Sequence, residues 1–270
     1  MGFFIFLFFQ RPGMSTKKNK KNKDFEIAIS SEEKKVHIET NKCKVSYENL
    51  RHIKPITETQ KSFFKNYDSG AKTFLLHGVA GTGKTFIALY KALEEVLRNR
   101  QQQKVVIIRS AVPSRDIGHL PGDEKEKSEI YQIPYIDICE RLINHSQSFS
   151  RLQEQKSLEF LITSFVRGIT LDNAIIIVDE CQNMTDMEIN SIMTRIGNNS
   201  KIIFCGDFRQ TDLNKKKNDV TGILKFFDVA HHMKAFTRIE FTVDDIVRSS
   251  LVKDYILAKI KYEDFEDLKK

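Results

Sequence analysis

The octet Gly78-Val79-Ala80-Gly81-Thr82-Gly83-Lys84-Thr85 combines glycines, an ammonium and a hydroxyl in the pattern Gly, four residues, Gly-Lys-Thr. A polyphosphate needs converging N–H donors, and glycine lets the backbone approach it with no side chain in the way. Val79, Ala80 and Thr82 would add their amides to that cradle. Lys84 would reach the β and γ phosphates of a nucleotide, and the Thr85 hydroxyl would hold Mg²⁺. Further along, Asp179 and Glu180 follow four apolar residues, Ile175-Ile176-Ile177-Val178. Alone, such an acid pair reads as the cap of a following helix. Beside a phosphate loop, Asp179 would orient the hydration shell of Mg²⁺ and Glu180 would polarise a water for attack on the γ-phosphate. Gln210 closes the run Gly206-Asp207-Phe208-Arg209-Gln210 and is placed either to bond that phosphate or water, or simply to make a polar turn. Arg248 is the candidate for the positive charge that a pentavalent phosphorus requires, with an ion pair to Asp244 as its plain alternative. Gln60, upstream of Gly78, could read adenine through paired amide hydrogen bonds, or be a solvated residue of a polar helix.

These groups converge only if regular elements carry them. Thr73–His77 before the octet is an apolar strand, and Phe86–Arg98 after it is helix-forming. Short apolar runs recur at Val105–Ile108, Phe160–Ile162, Ile175–Val178, Ile202–Cys205 and Phe236–Phe241, with helical stretches such as Met187–Ile196 between them. That alternation predicts a buried, mainly parallel sheet with helices on both faces, a three-layer α/β domain. Ligands in such sheets bind outside the carboxyl ends of the strands, where Asp179 and Glu180 stand. Thr57–Tyr67 reads as a short helix entered through Pro55. The charged segment Gly122–Gln155 inserts one or two helices, Ile133–Ile143 being the best candidate, and residues 25–50 alternate weakly as edge strands would.

With 270 residues and 40% hydrophobic content, the chain suits one sizeable domain plus an extension. The predicted boundaries are an N-terminal extension at 1–45, the nucleotide-binding domain at 46–262 and a tail at 263–270. Lys17, Lys18, Lys20, Lys21 and Lys23 hold much of the net charge of +7. Such an arm either grips phosphate backbones or is a solvated tail. Phe3–Phe9 is apolar but far shorter than a bilayer span of about 20 residues. It has neither the basic start nor the cleavage site of a signal peptide, and Met14 looks like a more ordinary start. No membrane association is therefore expected. Cys43, Cys139, Cys181 and Cys205 form no Cys-x-x-Cys pair or zinc grouping, which suits a reducing cytoplasm.

Four segments together resemble the PhoH family of ATPases, in particular the short forms of tailed bacteriophages. They are Gly78–Thr85; the tract Arg109–Asp123 with its Pro113-Ser114-Arg115-Asp116 wording; Arg167-Gly168-Ile169-Thr170-Leu171 with Ile175–Asn183; and Gly206–Gln210. The resemblance extends over roughly residues 50–255 and implies a RecA-like core related to superfamily 1 nucleic-acid helicases. It implies ATP as substrate with Mg²⁺, the roles given above for Asp179, Glu180 and Gln210, Gln60 as adenine reader and Arg248 as the late-motif arginine. Cys181 stands where cellular members usually have alanine. There is length for only one RecA-like domain and no fused nuclease, so strand separation by a monomer is not implied. A homo-oligomer, such as a ring with each arginine facing its neighbour's nucleotide, would answer the geometry.

The resulting expectation is Mg²⁺-dependent ATP hydrolysis acting on single-stranded RNA or DNA. A noncatalytic ATP-binding module remains open, as does a nucleotide kinase, although no base-monophosphate pocket or arginine lid stands out. Arg109, Ser110 and Arg115 either contact a nucleic-acid strand or belong to a structural loop beside the nucleotide. His231 and His232 lack the spacing of a metal site, and Lys215-Lys216-Lys217 reads as a solvated loop.

Overall fold

The apolar runs become six strands: β1 (Thr73–Gly78), β2 (Lys104–Arg109), β3 (Leu158–Ile162), β4 (Ala174–Asp179), β5 (Lys201–Gly206) and β6 (Phe236–Phe241). The computed structural model describes residues 44–98, 101–110, 124–145, 147–207 and 222–267, with backbone alone at 124–128, 223–224 and 263–267. The strands form one sheet in the order β3-β2-β4-β5-β1-β6, and every neighbouring pair is parallel. Every residue of β4 and β5 is buried, whereas the edge strands β3 and β6 are only partly covered. That is why the central strands read as unbroken apolar runs: both of their faces need apolar side chains.

The helices are α1 (Glu58–Asp68), α2 (Lys84–Leu97), α3 (Glu124–Leu142), α4 (Ser148–Glu154), α5 (Asp186–Met193), α6 (Gly222–His232) and α7 (Ser250–Asp267). Phe74, Leu76, Ile107, Ile175, Ile177 and Ile203 point to one face of the sheet and pack with apolar residues of α1 to α4. Leu75, Val106, Ile108, Ile176, Val178 and Phe204 point to the other, under α5 and α6. Three layers result, as the sequence predicts. Each fully buried aliphatic side chain contributes about 1.5–3 kcal/mol.

Local signals set several element ends. The Thr57 side chain accepts from the Gln60 N–H and starts α1 within a residue of the predicted block. Gly83, left-handed at φ 82°, turns the phosphate loop into α2. Thr185 and Glu188 form a capping box at the start of α5.

Other elements depart from the sequence expectation. Of the stretch 25–50, residues 25–43 lie outside the described residues, and 44–50 add no strand to the sheet: a short 3₁₀ turn at Tyr47–Asn49 leads to Leu50, which makes an isolated antiparallel bridge to Ile143. The helix centred on Ile133–Ile143 begins earlier, at Glu124, and continues through Pro134. Pro134 removes one rung of the helix, and burial of Tyr135, Cys139 and Leu142 offsets that loss. Helix α7 has no predicted counterpart, because its apolar residues Leu251, Val252, Tyr255 and Tyr262 are exposed and make no inward stripe. It runs through residue 262 to Asp267. The lysine arm, residues 1–13, the tract 111–123 with Arg115, Gln210 and Lys215–Lys217 lie outside the described residues. Among the described residues no helix is long and apolar enough to cross a membrane.

Candidate functional site

The phosphate loop joins the carboxyl end of β1 to the start of α2, and β6 braces it. Gly78 has φ 116°, and a Cβ there would meet the Phe241 carbonyl oxygen at 2.0 Å. The Val79 N–H donates to that same carbonyl at 3.0 Å. On the other side of the loop, the Val247 N–H donates to the Gly81 carbonyl at 3.1 Å. Lys84 is buried and its ammonium donates to the carbonyls of Gly78 and Val79, both at 2.8 Å. Burial lowers the Lys84 pKa, against an opposing pull chiefly from Asp207.

Strands β1 and β4 are not neighbours; β5 runs between them. Their carboxyl ends nevertheless meet at one point. The Thr85 hydroxyl donates to Asp179 Oδ1 at 2.7 Å. Asp179 Oδ2 accepts from the Tyr135 hydroxyl at 2.8 Å. Both oxygens of a carboxylate that is only 6% exposed are thus satisfied. Burial, and next the Asp179 charge, push the Tyr135 phenol well above its ordinary range and keep it a donor.

Glu180 is left-handed at φ 51°, a backbone strain of about 1–3 kcal/mol for a residue with a side chain. Its carboxylate accepts from Gln182 Nε2. Burial raises its pKa, and the Asp179 charge adds to that, while the Gln182 hydrogen bond opposes. Gln182 in turn accepts from the Asp207 N–H at 3.1 Å, tying the end of β4 to the end of β5. Cys181 packs beneath this junction, its thiol raised by burial.

A cavity of about 580 Å³ opens above these groups. It is lined by Ala80, Gly81, Gly83, Lys84 and Thr85 of the loop region, by Asp179, Glu180 and Gln182, and by Ile53, Ile56, Gln60, Arg109, Tyr135 and Arg248 around them. Thr85 keeps its oxygen lone pairs for a cation, since its proton goes to Asp179. A hydroxyl and a carboxylate form the hard-oxygen donor set that Mg²⁺ prefers, with substrate phosphates and water completing the shell. Among the described residues no cluster of His, Cys, Asp and Glu forms a closed metal cage.

Three sequence expectations meet the geometry differently. Gln60 does lie at the loop, 3% exposed, but its Oε1 accepts from the Ile56 N–H and its Nε2 donates to the Thr82 carbonyl. One lone pair and one N–H of the amide brace the loop, and the second of each is what a paired adenine reading would use. Arg248 lies over its own chain's loop, its Cγ 3.0 Å from where a Gly81 Cβ would be. Ser110 is buried and donates to Glu188 Oε1 at 2.8 Å, while Arg109 lies over the Tyr131 ring and lines the cavity. His231 lies beside Arg238, and His232 faces the Asp228 carbonyl.

The sequence missed Tyr135 and the Gln182 bridge. Gln182 was legible in principle, two residues from Glu180 in a quoted motif. Tyr135 carried no local signal, 44 residues from the acid it touches.

The family model for PhoH-like protein matches residues 52–259. The chain belongs to the PhoH-like family. A PhoH-like protein of Bacillus subtilis is 36% identical over 182 residues, which is 67% of this chain and 56% of that protein. One from Mycobacterium leprae is 30% identical over 215 residues, 79% of this chain and 60% of that protein. The chain therefore spans somewhat over half the length of these PhoH-like relatives. Among solved structures, the large terminase of a thermophilic bacteriophage is 15% identical with a TM-score of 0.43, over 75% of this chain and 50% of that one. Likeness at that distance does not bear on the reaction.

Proposed function

We infer that this PhoH-like chain binds ATP at the cavity and hydrolyses it to ADP and phosphate. The observation that carries the reading is the 2.7 Å contact between Thr85 and Asp179, which unites the phosphate loop and the acidic strand end in one site. When bound there, Mg²⁺ would neutralise charge on the β and γ phosphates. Thr85 and Asp179 would hold it, the hydroxyl directly and the carboxylate through water. Lys84 would exchange its two carbonyl acceptors for phosphate oxygens by turning about its side-chain bonds. Glu180, aimed by Gln182, would accept a proton from the attacking water, and its burial raises its basicity for that task. Arg248 would set a positive charge against the phosphates from the same chain, and Gln210 would bond the γ-phosphate or the water.

A single-stranded nucleic-acid partner, RNA foremost, goes further and rests on the family resemblance and on the excess of basic residues. Assembly into a homo-oligomer rests on the resemblance alone.

Glu180→Gln tests the hydrolytic reading. Loss of the base should lower steady-state ATP turnover by about 10² or more with nucleotide affinity retained. Undiminished turnover would remove Glu180 from the mechanism. The partner is tested by turnover with and without single-stranded RNA or DNA across a salt series. Stimulation that fades as salt rises fits backbone binding, and no stimulation by either polymer rejects it.

A further inference from the structure

Two tyrosines of α3 sit on the carboxyl ends of two adjacent strands. Arg109 of β2 and Asp179 of β4 are register partners in the sheet. Tyr131 faces the Arg109 guanidinium at 5.6 Å, and Tyr135, one helical turn later, donates to Asp179 Oδ2. Tyr135 is wholly buried. A phenylalanine of the same shape would pack there equally well, yet would leave an oxygen of a buried carboxylate without its donor. With Thr85 on Oδ1 and Tyr135 on Oδ2, the carboxylate cannot swing about its χ angles. Groups that fix a ligand's orientation in this way are typically worth a factor of about 10–100 in metal affinity.

We propose that Tyr135 is a positioning residue for the cation of the bound nucleotide: its phenol fixes Asp179 in the orientation that holds the metal's hydration shell. The inference rests on the nucleotide reading of the cavity and adds a residue from outside the phosphate loop and the acidic motif.

The test is Tyr135→Phe in the full chain, with Tyr131→Phe as a control on the same helix face. Binding of a fluorescent ADP analogue is titrated in EDTA and then with added Mg²⁺, and Mn²⁺ affinity is read by electron paramagnetic resonance. Tyr135→Phe should raise the half-saturating Mg²⁺ and Mn²⁺ concentrations by about tenfold or more, leaving nucleotide affinity in EDTA unchanged. An unchanged metal requirement overturns the proposal, as does an equal loss of affinity in EDTA, which would mark Tyr135 as packing only. If the wild-type chain gains no affinity from Mg²⁺, the nucleotide reading itself falls. Should the variant not fold, 3-fluorotyrosine at position 135 replaces it. Its fluorine resonance should shift when Mg²⁺ joins the ADP complex, and a fixed resonance counts against the hydrogen bond's role.

Discussion

Gly78→Ala isolates what the contact between the phosphate loop and β6 is worth. The added Cβ would lie 2.0 Å from the Phe241 carbonyl oxygen and 2.9 Å from its carbonyl carbon and amide nitrogen, where real contacts stay above 3.0 Å. The loop or the strand must therefore move by an ångström or more. The colliding group is backbone, so no side chain can rotate to relieve it. Movement also breaks the hydrogen bond from Val79 N–H to that carbonyl, worth about 1 kcal/mol. The left-handed φ of 116° adds strain of about 1–3 kcal/mol. Together these predict a loss of about 3 kcal/mol or more, which for a domain of this size lowers Tm by about 6–12 °C. Gly70→Ala is the control: its φ is 90°, but nothing lies within 4 Å of the new Cβ, so strain alone acts. Thermal melts and ATP turnover of both variants separate the effects. Gly78→Ala should melt lower than Gly70→Ala, and it alone should lose turnover, by about 10² for a misplacement of this size. Equal melting and unimpaired turnover would show that the loop does not depend on this close approach.

Two further predictions concern groups away from the cavity. Lys201 and Glu95 form a buried pair at 2.8 Å, with Lys201 also 4.4 Å from the centre of the Tyr67 ring. Glu95→Ala strands a buried ammonium and should cost about 3–5 kcal/mol in denaturant unfolding, most of it recovered when Lys201→Met is added; a loss no larger than that of a surface substitution would contradict the pairing. Burial alone would raise the Glu188 pKa, but hydrogen bonds from Thr163, the Thr185 N–H and Ser110 outweigh it and hold it below the ordinary 4.5. A depressed carboxylate stabilises the fold above its unfolded value, and that contribution is lost as pH falls through the folded one. Melting temperatures of the wild type should therefore drop more steeply below pH 4.5 than those of Glu188→Gln; parallel curves would refute the assignment.

The sequence by itself determined the features that depend on neighbours along the chain. Three glycines, a lysine and a threonine at set spacing specify the loop, and the four apolar residues before Asp179 specify a strand buried on both faces. The Thr57 cap, likewise, set the start of α1. Helix α7 escaped because its exposed apolar residues lack an inward periodicity, and the first turns of α3 precede the apolar stretch Ile133–Ile143 that marks the helix in the sequence. Only the tertiary structure decided which distant groups share the site. Sheet order put β5 between β1 and β4, yet brought Thr85 against Asp179 across 94 residues. It also laid Tyr135 on the same acid, bound Gln182 to Asp207, joined the Gln60 amide to the Thr82 carbonyl and set Arg248 over Gly81 of its own chain. Such contacts depend on how elements stack, and no pattern of period two or 3.6 encodes which strand ends will lie side by side.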